Sequence, residues 1–260
     1  MSRLPARTGL AWLKEGFGLF RQQPGILTML LFAYFLAGVL LNIVPLVGLI
    51  LTVALFPAFS ISIMQACNLI AQGQRVMPSV LLTGLRQPAL GRLLKLGMVY
   101  VGLALMMAII LWLNVDEATL RQMQSSAEAA RAASQSGAPV KMPDYPASLL
   151  VVPLVWGVLL LLLTFTAPLT YWKQMPVFKS LFYSVFGIAG AFKAVFVMMF
   201  SAVGIFYAVM LILRLLFGRS TMLFEAITTW MLFMLSLIIQ CGMFAAYRQI
   251  YADPAPEAKV

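Results

Sequence analysis

The chain has no histidine and little charge: 18 Lys and Arg and only 8 Asp and Glu among 260 residues, 10% charged against 62% hydrophobic. Without histidine the usual general base is gone, and with it the Ser-His-Asp arrangement and most zinc and haem sites. The two cysteines, Cys67 and Cys241, are distant in sequence and make no metal-ligand spacing. No Walker-type loop and no dinucleotide glycine fingerprint occurs, which argues against nucleotide hydrolysis within the chain. None of the acids lies in the middle of an apolar run, so a proton relay through a membrane has no carboxylate to use. The expectation is a non-enzymatic protein with neither metal nor cofactor.

What is present in place of charge is apolar length. A mean hydropathy of +0.96 lies far outside soluble composition, so the solvent for most of the chain is lipid. In lipid every backbone polar group must be paired internally. The apolar runs far exceed the roughly 10-residue alternating segments of barrel strands, so they are read as helices. The expected fold class is all-α: a single polytopic transmembrane helical bundle over residues 1–260, with six transmembrane helices.

Residues 8–71 set the pattern. Leu10, Leu13, Phe17 and Phe20 recur at helical spacing with Lys14, Glu15 and Arg21 on other faces, and Trp12 suits the headgroup level. This reads as an amphipathic elbow helix lying in the membrane interface, ended by Pro24-Gly25. From Ile26 to Ile70 no charge occurs, a length of about 68 Å as one helix against a hydrocarbon layer of about 30 Å. The break is placed at Asn42-Ile-Val-Pro45-Leu-Val-Gly48, giving crossings over about 26–43 and 47–70. Weaker versions of the same unit follow. One spans 78–172, with an elbow after Pro78, crossings at about 93–113 and 148–172, and a polar loop at 114–147. Another spans 176–247, with an elbow after Pro176 and crossings at about 191–217 and 222–247. Arg86-Gln87-Pro88 echoes Arg21-Gln22-Gln23-Pro24, and the reading is three repeats of elbow plus hairpin, with a tail at 248–260. In the loop, 116–133 has helix propensity and 134–146 reads as extended. Pro57 and Pro168 interrupt second helices of their hairpins and are expected to bend them, with Ser60, Thr166 or Thr170 close by.

The formal net charge is +10, but the cations sit at the ends of apolar runs and form no dense basic run, so no nucleic acid is expected. With the N-terminus placed in the cytoplasm, 13 of the 18 cations fall on the cytoplasmic side, as the positive-inside rule requires. Both termini are then cytoplasmic and the 114–147 loop is outside. The basic start is not expected to be a cleavable signal peptide, since no short apolar stretch leads to an Ala-x-Ala site. On this placement the cysteines lie near cytoplasmic ends, where a disulfide is not expected to persist, and they read as small packing residues.

Two groups of residues are candidate sites. Lys14, Arg21, Arg86, Arg92 and Lys179 on or beside the elbows are candidate contacts for lipid headgroups, each cation attracted to an anionic leaflet by about 1 kcal/mol. Gln65, Asn68 and Gln240 are neutral amides within apolar runs. They need partners and are expected to face the bundle, either as glue contributing about 0.6 kcal/mol each or as the lining of a small polar site. Arg214 reads as snorkelling outward, with a partner such as Glu225 or a bound anion as the alternative.

The elbow Trp12-Leu-Lys-Glu-Gly16-Phe-Gly-Leu-Phe-Arg21-Gln-Gln-Pro24, the hairpin turn Pro45-Leu-Val-Gly48 and the ending Gln65-Ala-Cys-Asn68 together resemble a family of uncharacterised six-helix inner-membrane proteins of Gram-negative bacteria. They are more distantly similar to the membrane domain attached to some glycerophosphoryl diester phosphodiesterases. The resemblance implies a bacterial inner membrane and carries no catalytic residues. The phosphodiesterase domain has no counterpart in the chain, so its activity is not implied. The expected role is action through contacts, with membrane lipids, anionic ones among them, or with a partner membrane protein. The alternative is a small-solute or lipid permease or channel with its path between the hairpins.

Overall fold

The computed structural model describes residues 4–87, 89–114, 121–122, 124–126, 128–129, 132, 147–217 and 221–251. The side chains of 114, 147–153, 216–217, 221–223 and 225 lie outside that description, as do most of the 114–147 loop and the tail after 251. Regular structure among the described residues is all helical: α1 (Arg7–Gln22), α2 (Pro24–Leu41), α3 (Val47–Ala71), the 3₁₀ helix η1 (Pro78–Leu85), α4 (Ala89–Asn114), α5 (Ala147–Leu162), α6 (Thr166–Trp172), α7 (Val177–Gly190), α8 (Phe192–Phe217) and α9 (Thr221–Tyr251). Six stretches are long and apolar enough to cross a membrane: Pro24–Leu41, Val47–Ala71, Ala89–Leu113, Leu154–Trp172, Phe192–Leu215 and Ala226–Tyr251.

The chain forms two compact units, Met1–Tyr100 with Leu162–Val260, and Val101–Leu161. The smaller unit holds the second part of α4 and nearly all of α5. Its described surface is apolar, with Leu105, Ile109, Trp112, Leu154 and Val158 exposed, as side chains facing lipid tails are.

Within the larger unit the helices meet through residues with little or no side chain. The α2–α3 hairpin turns on a γ-turn at Leu46 (φ 63°, ψ −56°), closed by the Val47 N–H donating to the Pro45 carbonyl at 2.7 Å, a strained turn. Gly48 lies directly against the Leu41 carbonyl, with no room for a Cβ. Ala54 and Ala58 of α3 receive Gly97 of α4 and Gly84 of η1 in the same way, so one small-residue row seats two neighbours. Gly9 and Gly16 of α1 lie against the backbone of Ala194 in α8 and of Gly242 in α9.

Two expectations gain detail here. First, α1 has a protein-facing side that the apolar stripe does not mark: Gly9, Trp12, Leu13, Gly16 and Leu19 are buried, while Leu10 and Phe17 stay exposed, as on a helix lying in the interface. Trp12 is packed inside the protein, 2% exposed, its Nε1–H donating to Gln249 Oε1 at 2.6 Å. An apolarity pattern scores glycine as nothing, whereas close backbone packing requires it. Second, Pro168 does not merely bend the fourth span. The chain turns at Leu163–Phe165, and the carbonyls released there are held by neighbours. Tyr100 Oη donates to the Leu163 carbonyl at 3.0 Å, Thr166 Oγ1 to the same oxygen at 2.6 Å, and Ser184 Oγ to the Leu162 carbonyl at 2.6 Å, while the Phe165 N–H donates to Ser184 Oγ at 3.2 Å. At Pro57, by contrast, α3 continues as one helix.

Candidate functional site

The C-terminal parts of α3, α6 and α9 converge in a mixed polar and aromatic cluster. Gln65, Asn68 and Gln72 follow one another at helical spacing at the end of α3, which places three amides along one face. Gln65, 3% exposed, accepts the Trp172 Nε1–H of α6 at 2.8 Å. Asn68 Oδ1 accepts from Gln72 Nε2 at 3.3 Å. The Trp172 ring lies 5.0 Å from Tyr247 and 6.1 Å from Phe244, both on α9, and Phe165 meets Tyr247 and Tyr251 edge-on at 5.9 and 5.7 Å.

Of the three predicted amides, Gln65 and Asn68 share a face, but their bonds run to Trp172 and Gln72 and not to Gln240. Gln240 is half-buried, and its Oε1 is buried with no hydrogen-bond partner. The Tyr247 hydroxyl is in the same state, on a residue with no exposed surface. Gln240, Phe244 and Tyr247 recur along one face of α9, so the two unpartnered atoms lie on the side of that helix that meets Trp172. Leaving such an atom unsatisfied costs about 1–3 kcal/mol. Cys67 and Cys241, distant in sequence, are brought together: both are fully buried, with their Sγ atoms 2.8 Å apart.

Sequence reasoning passed over two residues that matter here. Gln23, in the Arg-Gln-Gln-Pro junction, donates from Nε2 to the Gln74 carbonyl at 2.7 Å and accepts the Val76 N–H on Oε1 at 3.0 Å. It clamps the loop that leaves α3, and the repeated dipeptide before proline was the available signal. Ser184 had none, because a serine in an apolar helix says nothing of which broken helix it will face.

Lys14, Arg21, Arg86 and Lys179 are exposed and Arg92 is half-buried. Arg21 lies over the Phe17 ring at 5.9 Å, and Lys179 over Tyr183 at 5.9 Å. On α7, Phe178, Phe182 and Phe186 form an exposed row at i, i+4, i+8, while Ser180 and Ser184 are buried on the opposite side. The buried side is tied down: Thr170 Oγ1 donates to Ser180 Oγ at 2.9 Å, and the Tyr251 hydroxyl donates to the Tyr183 carbonyl. A helix held by serines on one side, with phenylalanines and a lysine on the other, is built to lie against an apolar medium with a charged border. Arg214 is exposed, and the side chain of Glu225 falls outside the described residues.

Six apolar spans, short helices at the chain junctions and aromatic-cation borders define a polytopic α-helical membrane protein. The chain is 30% identical over 185 residues to a protein of Burkholderia thailandensis named as a probable inner membrane protein, covering 69% of this chain and 66%, just under two thirds, of that protein's length. No protein-family model matches the chain, and no solved structure matches it.

Proposed function

We propose that this is a non-enzymatic protein of a bacterial inner membrane that acts through contact with anionic lipid headgroups at its short helices. The observation that carries the reading is the pairing of exposed cation and exposed aromatic on the same turn: Arg21 with Phe17 and Lys179 with Tyr183, the latter beside the Phe178, Phe182, Phe186 row. The aromatic seats in the acyl boundary while the cation reaches the phosphate layer. The name of the Burkholderia relative supports the inner membrane, and the charge bias supports a cytoplasmic placement of both termini and of all three short elements. With six crossings, the short elements and the end of α9 fall on one side.

Contacts also support the repeat. Each short element packs on the second crossing of a hairpin: η1 on α3, α7 on α6, the last part of the fourth span, and α1 on α9. The resemblance to the phosphodiesterase membrane domain supports the same elbow-and-hairpin plan and brings no activity.

A second reading, a permease, has one specific observation in its favour: Gln240 Oε1 and the Tyr247 hydroxyl are buried without partners on one face of α9, the Tyr247 ring against Trp172, where a small hydrogen-bonding solute would find partners. Native mass spectrometry of protein gently extracted from its own membrane separates the two. Retained anionic phospholipid, lost in the Arg21→Gln, Arg86→Gln, Lys179→Gln variant, is the expected result. A retained small solute, lost on Gln65→Ala or Gln240→Ala, would overturn the lipid reading in favour of transport.

A further inference from the structure

Cys67 and Cys241 are contributed by α3 and α9, have no exposed surface, and place their sulfur atoms 2.8 Å apart. That distance decides between two uses of a thiol pair. A bridging metal holds each sulfur about 2.3 Å away, so the two sulfurs sit about 3.8 Å apart in a tetrahedral site and about 4.6 Å in a linear one. A disulfide brings them to about 2.05 Å. The observed approach is too close for a bridging metal and puts each free thiol within direct reach of the other.

We propose that Cys67 and Cys241 are an oxidative modification site, a dithiol that a small hydroperoxide converts to a disulfide stapling α3 to α9. Complete burial selects the oxidant. A thiol-oxidising enzyme or a quinone ring cannot touch either sulfur, whereas hydrogen peroxide is uncharged and about the size of the water molecules that enter helical membrane proteins. In the first step one thiol sulfur attacks an oxygen of the peroxide: the S–O bond forms, the O–O bond breaks, and the thiol's proton passes to the departing oxygen, which leaves as water. In the second, the neighbouring thiol sulfur attacks the sulfenic sulfur: the S–S bond forms, the S–O bond breaks, and the second thiol's proton joins the sulfenic hydroxyl, which leaves as water. In sum two thiols and one peroxide give one disulfide and two waters; the sulfurs together lose two electrons and the peroxide gains them. Because the second sulfur already stands beside the first, the sulfenic acid is captured before a second peroxide carries it to the sulfinic acid.

The bond would tie α3 to α9 within two residues of Gln65 and next to Gln240, at the convergence of the polar cluster. This inference is independent of both readings of function. The test uses the full-length protein in lipid nanodiscs, titrated with hydrogen peroxide, then denatured in N-ethylmaleimide and weighed. The expected result is a loss of about 2 Da, simultaneous loss of both alkylation sites, and, after digestion, a reducible peptide pair joining Cys67 to Cys241. In Cys241→Ser the remaining Cys67 instead gains oxygen and no pair forms. Sulfinic acid on one wild-type cysteine with the other still alkylated would overturn the proposal. So would both thiols remaining free at a peroxide dose that oxidises a buried-thiol control protein.

Discussion

At the residue scale the fold depends most on side chains that are absent. Gly16 stands against the Gly242 backbone while Gly18, on the same helix, has nothing within 4 Å of where a Cβ would be. Gly16→Val should therefore destabilise the protein by about 3 kcal/mol, because backbone cannot yield as a flexible side chain can. Gly18→Val should stay within about 0.5 kcal/mol, as surface changes do. Thermal unfolding of both in the same detergent checks the contrast, and equal losses would mean that α1 is not seated on its glycine face. Trp172→Phe keeps a ring against Tyr247 but removes the donor to Gln65, leaving a buried amide oxygen unpaired. The expected cost is about 1–3 kcal/mol, read from the same melts.

Among single elements, α7 and the broken fourth span explain each other. Pro168 removes a helical donor, the chain turns at Leu163–Phe165, and Ser184 supplies one donor and one acceptor to the break. Ser184→Ala should loosen the docking of α7 by about 2 kcal/mol, two hydrogen bonds at about 1 kcal/mol each. Hydrogen exchange should locate the loss in 163–172 and 177–190; uniform faster exchange across all helices would contradict it. The exposed side of α7 makes a separate claim. Tryptophan at Phe182 should be quenched by phospholipid brominated high on its acyl chains, and a tryptophan shielded from brominated lipid would mean that protein covers the row.

The elbow pattern shows how sequence legibility ended at the faces of elements. The positions of α1, of the turn before Val47 and of Pro24 at the start of α2 could be read, because proline, glycine and charge act within a few residues. The seating of α1 could not: Leu10 and Phe17 outweigh two glycines in any apolar count, yet the glycines decide. η1 was likewise placed after Pro78 without its 3₁₀ form being foreseen. Gln65 and Asn68 were legible as amides in need of partners. Trp172 as that partner was not, since it lies 107 residues from Gln65 at the end of a crossing.

Taken whole, the chain is a multi-pass membrane protein, and the orientation proposed for it rests on its cations. Reporters inserted after Gln74 and after Gln174 should be accessible from the cytoplasm, and one within 133–146 from the opposite side. The reverse pattern would reject the positive-inside reading while leaving the six spans intact. By itself the sequence determined the lipid-like composition, the helical class and the six spans, with the turn at 42–48 but not the break at 163–165. Hydrophobic length and the backbone chemistry of proline and glycine are local properties, and lipid admits few solutions to backbone hydrogen bonding. Tertiary structure alone decided that Gly16 meets Gly242, that Trp172 reaches Gln65 and that Cys67 meets Cys241. In lipid both sides of a spanning helix are apolar, so its rotation about its own axis is set by close packing and scarce polar partners, which a linear pattern of apolar residues does not record.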